Sequence, residues 1–344
     1  MSLIDFFKRM NAHTNQSQQV LYWSSVKEEI HALMNNCGAS INDEYCLVDV
    51  TGKDRRDLMH RMSTQNLKSA CDTQIVATVC PDQNGRIIDY VYYILGKEKD
   101  IMMCHQACHQ ELLSWLDSMV FREDIQFVVR ENIKHQVVVS GPNAVLSLNR
   151  ALGLSLNWHA NVAIWVDWQG RPIDILMIED KGLQSLHLLL DESLILSVLV
   201  YLMQAQVCLA GLYAVDYQRI MHLLPAANAE IKRLYNPHEI GLSHVIDWNK
   251  GCYVGQEVIA RLDTYQKIKQ TLCRFKVKGV VQADERVLDE QGQDVGVVTS
   301  AVCWPTDMPE EGIALALIKK STIQDMPTFL KTSQAILIHD TPII

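Results

Sequence analysis

The alternation of apolar and polar residues in the first part of the chain predicts helices and strands that follow one another. The segment "SSVKEEIHALMNN" has a capping candidate, Ser25, followed by acidic residues in the next turn, which is typical of a helix start. "EYCLVDVTG" has the alternation of a strand that ends at a glycine. "KDRRDLMHRMSTQNL" has its apolar residues at helical spacing. We expect helix, strand and helix in this order.

Two hairpins and a repeated order of elements extend this pattern. Asn84-Gly85 separates two β-rich runs within residues 75–95, and Gln169-Gly170 separates two more within residues 161–178. Residues 135–154 contain a strand, a Gly-Pro turn and a helix between these hairpins. The second unit therefore repeats the order of the first without an exact sequence repeat. This order predicts the α+β fold class.

Beyond residue 262 the pattern changes to short strands and turns, which are typical of a small β-barrel. The chain has 344 residues, more than a single hydrophobic core usually supports. We predict an N-terminal α+β domain over 1–135 with a helical N-terminal arm, and a second α+β domain over 136–262. A C-terminal β-barrel over 263–344 completes the division, and the first two domains can interleave in sequence.

Composition and the lengths of the apolar runs limit the class of protein to which the chain can belong. About half of the residues, 48%, are apolar, which is enough for an ordinary core. The longest apolar runs, such as residues 194–203, are too short to cross a bilayer. Charged residues interrupt the apolar positions of the first 16 residues, so they lack the form of a secretory signal. We therefore expect a cytoplasmic protein without a membrane segment.

Charge and cysteine spacing exclude several kinds of site. The net charge of −9 gives no overall positive field, so we expect weak direct binding to nucleic acid. The ten cysteines contain no C-x-x-C pair, and we expect reduced thiols without a zinc site. "CHQACH", residues 104–109, could bind a metal if the segment is helical, but a third ligand is missing nearby in sequence. We predict no metal.

The stretch "NKGCYVGQEVIARL", residues 249–262, carries the strongest candidate chemistry because it sets Cys252 between two glycines at the predicted domain junction. Lys250 and the start of the following helix would favour the thiolate of Cys252. Gly251 and Gly255 would permit close backbone approaches to a ligand. The alternative interpretation is a packing cysteine beside a turn, because free cysteines are usually buried.

Several motifs together resemble the YgfZ group, the folate-binding relatives of the glycine-cleavage aminomethyltransferase. "KGCYVGQEVIAR" is similar to the K-G-C-[FY]-x-G-Q-E-x-x-[AS]-R signature of that group. "VDVTGKDRRDLMHRMSTQNL" resembles a second family segment, with Asn66 in place of the usual aspartate. "PDQNGRIIDYVYYI", "GLYAVDYQRI", "NPHEIGL" and "VGVVTSA" resemble four others. The resemblance runs from about residue 45 to residue 320.

The resemblance implies a three-domain aminomethyltransferase-like fold around a central channel that holds tetrahydrofolate or a related reduced folate. Cys252 would be the functional thiol, with Lys250 beside it. The true aminomethyltransferases have an Asp-Asp pair facing the folate, where this chain has Asp89-Tyr90, so either residue could take that role. The residues expected to bind the cofactor are Asp89, Tyr90, Arg219, Glu239, Gly251, Tyr253, Gln256 and Arg261.

The resemblance also implies a function in the assembly or repair of iron–sulfur clusters in a subset of enzymes, including enzymes that modify tRNA. The partners would be the cluster assembly machinery or its client enzymes, and we expect a monomer. Folate-dependent aminomethyl transfer is the first alternative, although a single acid at the hairpin weakens it. A cysteine hydrolase using His238 or His244 as its base and a scaffold without a ligand are the others.

Overall fold

The structure, a computed structural model, describes residues 2–133, 135–265, 267–303, 312–324, 327 and 329–340. The described residues form these helices: α1 Leu3–Arg9, α2 Val26–Asn35, α3 Arg55–Met62, α4 His109–Ser118, α5 Ala144–Leu152, α6 Glu192–Gln204, α7 Leu212–Met221, α8 Gln256–Thr264 and α9 Lys320–Gln324. A short 3-10 turn covers Ser243–Val245. None of these helices has the length and apolar character needed to cross a membrane.

The strands form two open sheets, a closed barrel and a small N-terminal hairpin. Their bounds are β1 His13–Thr14, β2 Val20–Tyr22, β3 Gly38–Asn42, β4 Tyr45–Thr51, β5 Ile75–Pro81, β6 Ile87–Ile94, β7 Asp100–His105, β8 Gln126–Val129, β9 Gln136–Ser140, β10 Val162–Trp168, β11 Arg171–Asp180, β12 Leu183–Leu189, β13 Cys208–Leu209, β14 Gln270–Gly279, β15 Arg286–Leu288, β16 Asp294–Cys303, β17 Gly312–Lys319, β18 Phe329–Lys331 and β19 Ala335–His339.

The first sheet has the order β5-β6-β7-β4-β8 and is covered on both faces. One face packs against α3 and α4 through apolar residues such as Met59 and Leu112. Every residue of β6 is buried, so this strand lacks the polar face that a half-exposed strand would show. The other face carries Tyr90 and Tyr92, which are two positions apart and therefore point to the same side.

The second sheet has the order β10-β11-β12-β9-β3-β13, so a strand from the N-terminal region lies inside it. β3 pairs with β9 in antiparallel register and with β13 in parallel register. The two α+β units thus interleave, while the exact domain boundaries stay a prediction. The outer face of this sheet packs against α5 and α6.

The N-terminal arm is folded onto the second sheet. Ser2 caps α1, accepting a hydrogen bond from Asp5 N at 3.1 Å. Phe6 and Phe7 of this helix meet Trp23 edge to face, with ring centroids 5.9 and 5.6 Å away. The sequence pattern predicted a helical arm but not this packing, because α1 is only two turns long.

Six strands between β14 and β19 close into the barrel that the sequence predicts. Phe275 and Val277 point into its core, and Lys276 between them points outward to Asp340 at 3.2 Å. One apolar cluster joins the inner faces of both sheets to barrel residues such as Leu315. The three units therefore meet at a shared centre, and the predicted α+β fold with a C-terminal barrel is confirmed.

Candidate functional site

Asp180 and two tyrosines form a buried polar cluster where the two sheets face each other. Asp180 is the last residue of β11, and Tyr90 and Tyr92 project from β6 of the other sheet. The Tyr90 hydroxyl donates to Asp180 Oδ2 at 2.5 Å and the Tyr92 hydroxyl donates to the same atom at 2.8 Å. Charge-assisted hydrogen bonds of this kind fix both partners, so the carboxylate has a defined orientation.

His244 connects this buried carboxylate to the protein surface. Its Nε2 lies 3.2 Å from Asp180 Oδ1, and its side chain is 43% exposed. Burial alone would raise the pKa of Asp180, but the hydrogen bonds from His244, Tyr90 and Tyr92 outweigh it and lower the pKa. Asp180 is therefore an ionised acceptor at neutral pH.

A cavity of about 100 Å³, here called the central cavity, opens above this cluster, and part of its wall is aromatic. The Tyr45 ring lies 4.8 Å from the His105 ring and 6.1 Å from the His187 ring, measured between centroids. Burial lowers the pKa of His187 to about 4, so its imidazole is neutral. The flat rings beside the Asp180 carboxylate suit a planar heterocycle with N–H donors, and Glu44 and Arg219 are further charged residues of the lining.

Asp89 and Tyr90 take different places, although they are neighbours in sequence. The Tyr90 side chain lines the cavity, whereas the Asp89 carboxylate is completely buried. Asp89 accepts hydrogen bonds from the backbone N–H groups of Tyr90 and His105 and lies 2.7 Å from His105 Nδ1. Burial alone would lower the pKa of His105, but Asp89 outweighs it and raises the pKa. Asp89 thus orients a wall residue of the cavity.

Arg219 of α7 lines the cavity on the barrel side. Its Nε lies 2.5 Å from Asp216 Oδ1, and an Nη atom donates to Ser300 Oγ at 3.1 Å. Ser300 belongs to β16 and donates to Glu230 Oε1 at 2.7 Å. This cluster links helix and barrel and holds Arg219 in the cavity wall, while its predicted cofactor role stays a prediction.

The predicted signature residues lie elsewhere. No residue from 250–261 is among the described residues that line the central cavity. Lys250 points away from it, because its Nζ donates to the carbonyl oxygens of His60, Ser63 and Gln65 at 2.5, 2.6 and 2.7 Å. Burial lowers the pKa of Lys250 to about 8. Val254 N also donates to Arg61 O at 2.9 Å. Together these bonds give hydrogen-bond donors to the backbone carbonyl oxygens at the C-terminal end of α3.

The two glycines of the signature have different surroundings. Gly255 has φ +78°, and a β-carbon there would lie 2.5 Å from the carbonyl oxygen of Asp82 in the β5–β6 turn. Only glycine fits such a position without strain. A β-carbon on Gly251 would meet His60 Nε2 at 3.9 Å, an ordinary contact. Gly255 therefore allows the signature to approach the β5–β6 hairpin.

Cys252 is exposed on this loop, whereas its neighbour Tyr253 is buried. The Tyr253 hydroxyl has no hydrogen-bond partner among the described residues, and the Lys250 ammonium lies 5.1 Å from its ring centre. Gln256 begins α8, and Arg261 on the exposed side of that helix pairs with Glu257 at 2.5 Å. The ligand roles predicted for these residues stay predictions.

Glu239 occupies a third place, close to the base of the β5–β6 hairpin. Its carboxylate accepts from Asn236 N at 3.0 Å and lies 3.5 Å from an Arg86 nitrogen. The predicted site residues thus divide into a cavity group of Asp89, Tyr90 and Arg219, and a signature group near Cys252. Glu239 lies in neither.

The segment "CHQACH" lacks the helical geometry that a metal site would need. Cys104 and His105 end β7, and Cys108 and His109 begin α4 after a turn. Within the described ranges, no group of three or more metal-binding side chains comes together.

Comparison with known proteins identifies the family. The family model for the GCVT N-terminal domain matches residues 5–250, which include both open sheets and the central cavity. The chain belongs to the GCVT N-terminal domain family. In this GCVT-domain protein the matched region ends at Lys250, so α8 and the barrel lie beyond it.

Relatives and solved structures of similar sequence or fold agree with this membership. A chloroplastic protein of Arabidopsis thaliana, provisionally named a transferase, is 27% identical over 74% of this chain, and the match spans 59% of its own length. An aminomethyltransferase of Thermosipho melanesiensis is 24% identical over 87% of this chain and 83% of its own. The glycine cleavage system aminomethyltransferase T of Bartonella henselae has the same fold, with a TM-score of 0.83, 16% identity and coverage of 100% and 98%.

Sequence reasoning about this GCVT-domain protein missed the residue at the centre of the cavity. Asp180 was not singled out, and His244 was considered only as a base for Cys252. A usable signal was present, because Asp180 stands at the end of a buried strand directly before the turn at Lys181-Gly182. A carboxylate that follows the apolar run of residues 175–178 at the end of a largely buried strand is a candidate for a buried functional site.

Proposed function

We propose that the protein binds a reduced folate in the central cavity and supports the assembly or repair of iron–sulfur clusters in a subset of enzymes. The observation that carries the ligand proposal is the Asp180 carboxylate, which Tyr90 and Tyr92 hold at a cavity with aromatic rings in its wall. The resemblance of the "KGCYVGQEVIAR" signature to the YgfZ group supports the accessory role.

The residues present fit the ring system of such a ligand. The amino and ring N–H donors of a reduced pteridine match an ionised acceptor such as Asp180, and its flat ring matches walls such as Tyr45 and His105. The volume of about 100 Å³ is below the 300–1,000 Å³ typical of pockets for drug-sized ligands. The ring would occupy the cavity and the tail would lie outside it.

The chain's own residues can position the ligand and move a proton. A reduced folate, when bound, supplies nitrogen atoms that carry a one-carbon unit. Asp180 accepts N–H groups of the ring, and Tyr90 and Tyr92 keep the carboxylate in place. His244 contacts both Asp180 and solvent, so it can exchange a proton between the cavity floor and water.

Calorimetry with tetrahydrofolate tests the ligand proposal. We expect heat of binding with micromolar affinity and protection of the chain from proteolysis, because the ligand would bridge the two sheets. The absence of both effects at millimolar tetrahydrofolate would refute folate binding.

The accessory role predicts a specific requirement for the thiol of Cys252. In a strain that lacks the native factor, Cys252→Ser should fold normally but fail to restore the activity of a cluster-dependent tRNA-modifying enzyme. Cys71→Ser is the matched control, because Cys71 is also exposed and free. Equal complementation by both variants would show that the thiol is dispensable and that the accessory role does not use it.

Aminomethyl transfer is the second candidate function. Curated relatives that match most of their own length carry the name aminomethyltransferase. A transferase needs a carboxylate near the folate nitrogens to stabilise developing charge. Since Asp89 is bound to His105 behind the wall, Asp180 is the carboxylate that would take this role.

A further inference from the structure

A second cavity, of about 290 Å³, lies between the N-terminal arm and the second sheet. Its walls come from α1, the β1–β2 hairpin, the end of β3 and the start of α7. It adjoins the central cavity, because both are lined by Ser40, Asn42, Glu44 and Val215. The arm therefore encloses a separate space beside the proposed folate site.

One wall of this second cavity is apolar. Phe7 and Trp23 meet there edge to face with ring centroids 5.6 Å apart, and Leu3 and Val20 extend the surface. Aromatic rings attract both apolar groups and cations, because each ring face carries a partial negative charge. This wall suits the carbon skeleton of a small organic molecule.

Another part of the lining is acidic. Asp43, Glu44 and Glu192 line it, and the described lining residues include no lysine or arginine. Gln19 donates to Asp43 at 3.0 Å, which leaves Glu44 and Glu192 as the acids without such a partner amide. A cation in this space would meet acidic side chains without competition from a lysine or arginine of the described lining.

Two buried nitrogen atoms in the lining lack partners. Trp23 Nε1 and His135 Nδ1 form no hydrogen bond with the described residues, and Trp23 is only 8% exposed. A buried N–H without an acceptor costs about 1–3 kcal/mol. A bound molecule with an acceptor atom, reached by a small shift of the arm, would satisfy the indole N–H.

We propose that the second cavity binds a small organic amine whose apolar body carries one hydrogen-bond acceptor. The ammonium group lies against Glu44 and Glu192, and the apolar body packs on Phe7 and Trp23. An anionic ligand is excluded by the acidic wall, so the carboxylate-bearing tail of a folate does not enter here. This site is distinct from the proposed folate site, although the two share Glu44.

A charge series of one carbon skeleton tests the proposal on the full-length protein. Tyramine, its neutral analogue tyrosol and its anionic analogue 3-(4-hydroxyphenyl)propionate differ in the terminal group and share the phenol acceptor. By calorimetry, we expect tyramine to bind about tenfold more tightly than tyrosol, which is the effect of one charge-assisted hydrogen bond, and the anion to show no binding. Equal affinity of all three, or no binding of tyramine at millimolar concentration, would overturn the proposal.

Two variants locate the tyramine site. Glu192 is an exposed residue at the start of α6 and lines the second cavity but not the central one. Glu192→Gln should therefore weaken tyramine binding about tenfold and leave tetrahydrofolate binding unchanged. Asp180→Asn should weaken tetrahydrofolate binding and leave tyramine binding unchanged. Loss of tyramine binding in Asp180→Asn, with normal binding in Glu192→Gln, would place the amine in the central cavity and refute the second site. Failure of the folate proposal would appear separately, as absent tetrahydrofolate binding in the wild-type protein.

Discussion

Replacing Lys250 by methionine is expected to lower the free energy of unfolding by about 3 kcal/mol, at roughly 1 kcal/mol for each buried acceptor left without its donor. The ammonium donates to three carbonyl oxygens between His60 and Gln65, where α3 ends. Methionine matches the length of the side chain but cannot donate. Those carbonyls, buried at His60 and Ser63 and partly buried at Gln65, would then lose their donor.

Urea unfolding of the variant and of the wild-type protein measures this loss. Lys68→Met is a suitable control, because Lys68 lies in the same region, is 52% exposed and pairs with Asp57 at the surface. Surface pairs contribute about 0–1 kcal/mol. If Lys250→Met unfolds like the wild type but fails in complementation, the lysine acts in the chemistry at Cys252 and its role is not structural.

Replacing Asp180 by asparagine is expected to weaken tetrahydrofolate binding by about 10- to 100-fold, equivalent to about 1.5–3 kcal/mol for hydrogen bonds to a charged group. Asparagine keeps the shape but removes the negative charge. It also puts an NH2 group in place of one carboxylate oxygen, so either the Tyr90 and Tyr92 hydroxyls or His244 would lose an acceptor. The ligand would lose its ionised acceptor.

Calorimetric titration of Asp180→Asn measures this effect. Asp174→Asn is the matched control, because it makes the same change on the same strand but lies outside the central cavity. We expect Asp174→Asn to bind the folate like the wild type. Unchanged affinity in Asp180→Asn would mean that the ligand does not use this carboxylate and that the proposed pose is wrong.

Much of the fold could be predicted from local sequence because the signals are local. Asn84-Gly85 and Gln169-Gly170 lie in turns, and Gly85, Gln169 and Gly170 all have the positive φ that such hairpin turns favour. Ser25 caps α2 through a hydrogen bond from Glu28 N at 3.4 Å. The short strands and turns beyond residue 262 predicted the barrel correctly, and Phe275 and Val277 lie in its core. Each of these features depends on residues only a few positions apart.

The site could be predicted only in part because its contacts join distant residues. Asp180 meets Tyr90 from 90 positions away, and Lys250 reaches the His60 carbonyl from 190 positions away. A lysine beside a cysteine in sequence suggested an electrostatic partner for the thiol. The structure instead directs its ammonium to the end of α3, a destination that no local pattern encodes.

The position of β3 has a consequence for the order in which the chain folds during synthesis. The first sheet consists of residues 45–129 and has all its strands once residue 129 is made. β3 is made earlier, at residues 38–42, but its neighbours are β9 at 136–140 and β13 at 208–209. A nascent chain therefore carries an unpaired strand edge while the next 90 or so residues emerge, and such edges favour pairing with other chains. Translation must pass residue 209 before this earliest strand of the second sheet is enclosed on both sides.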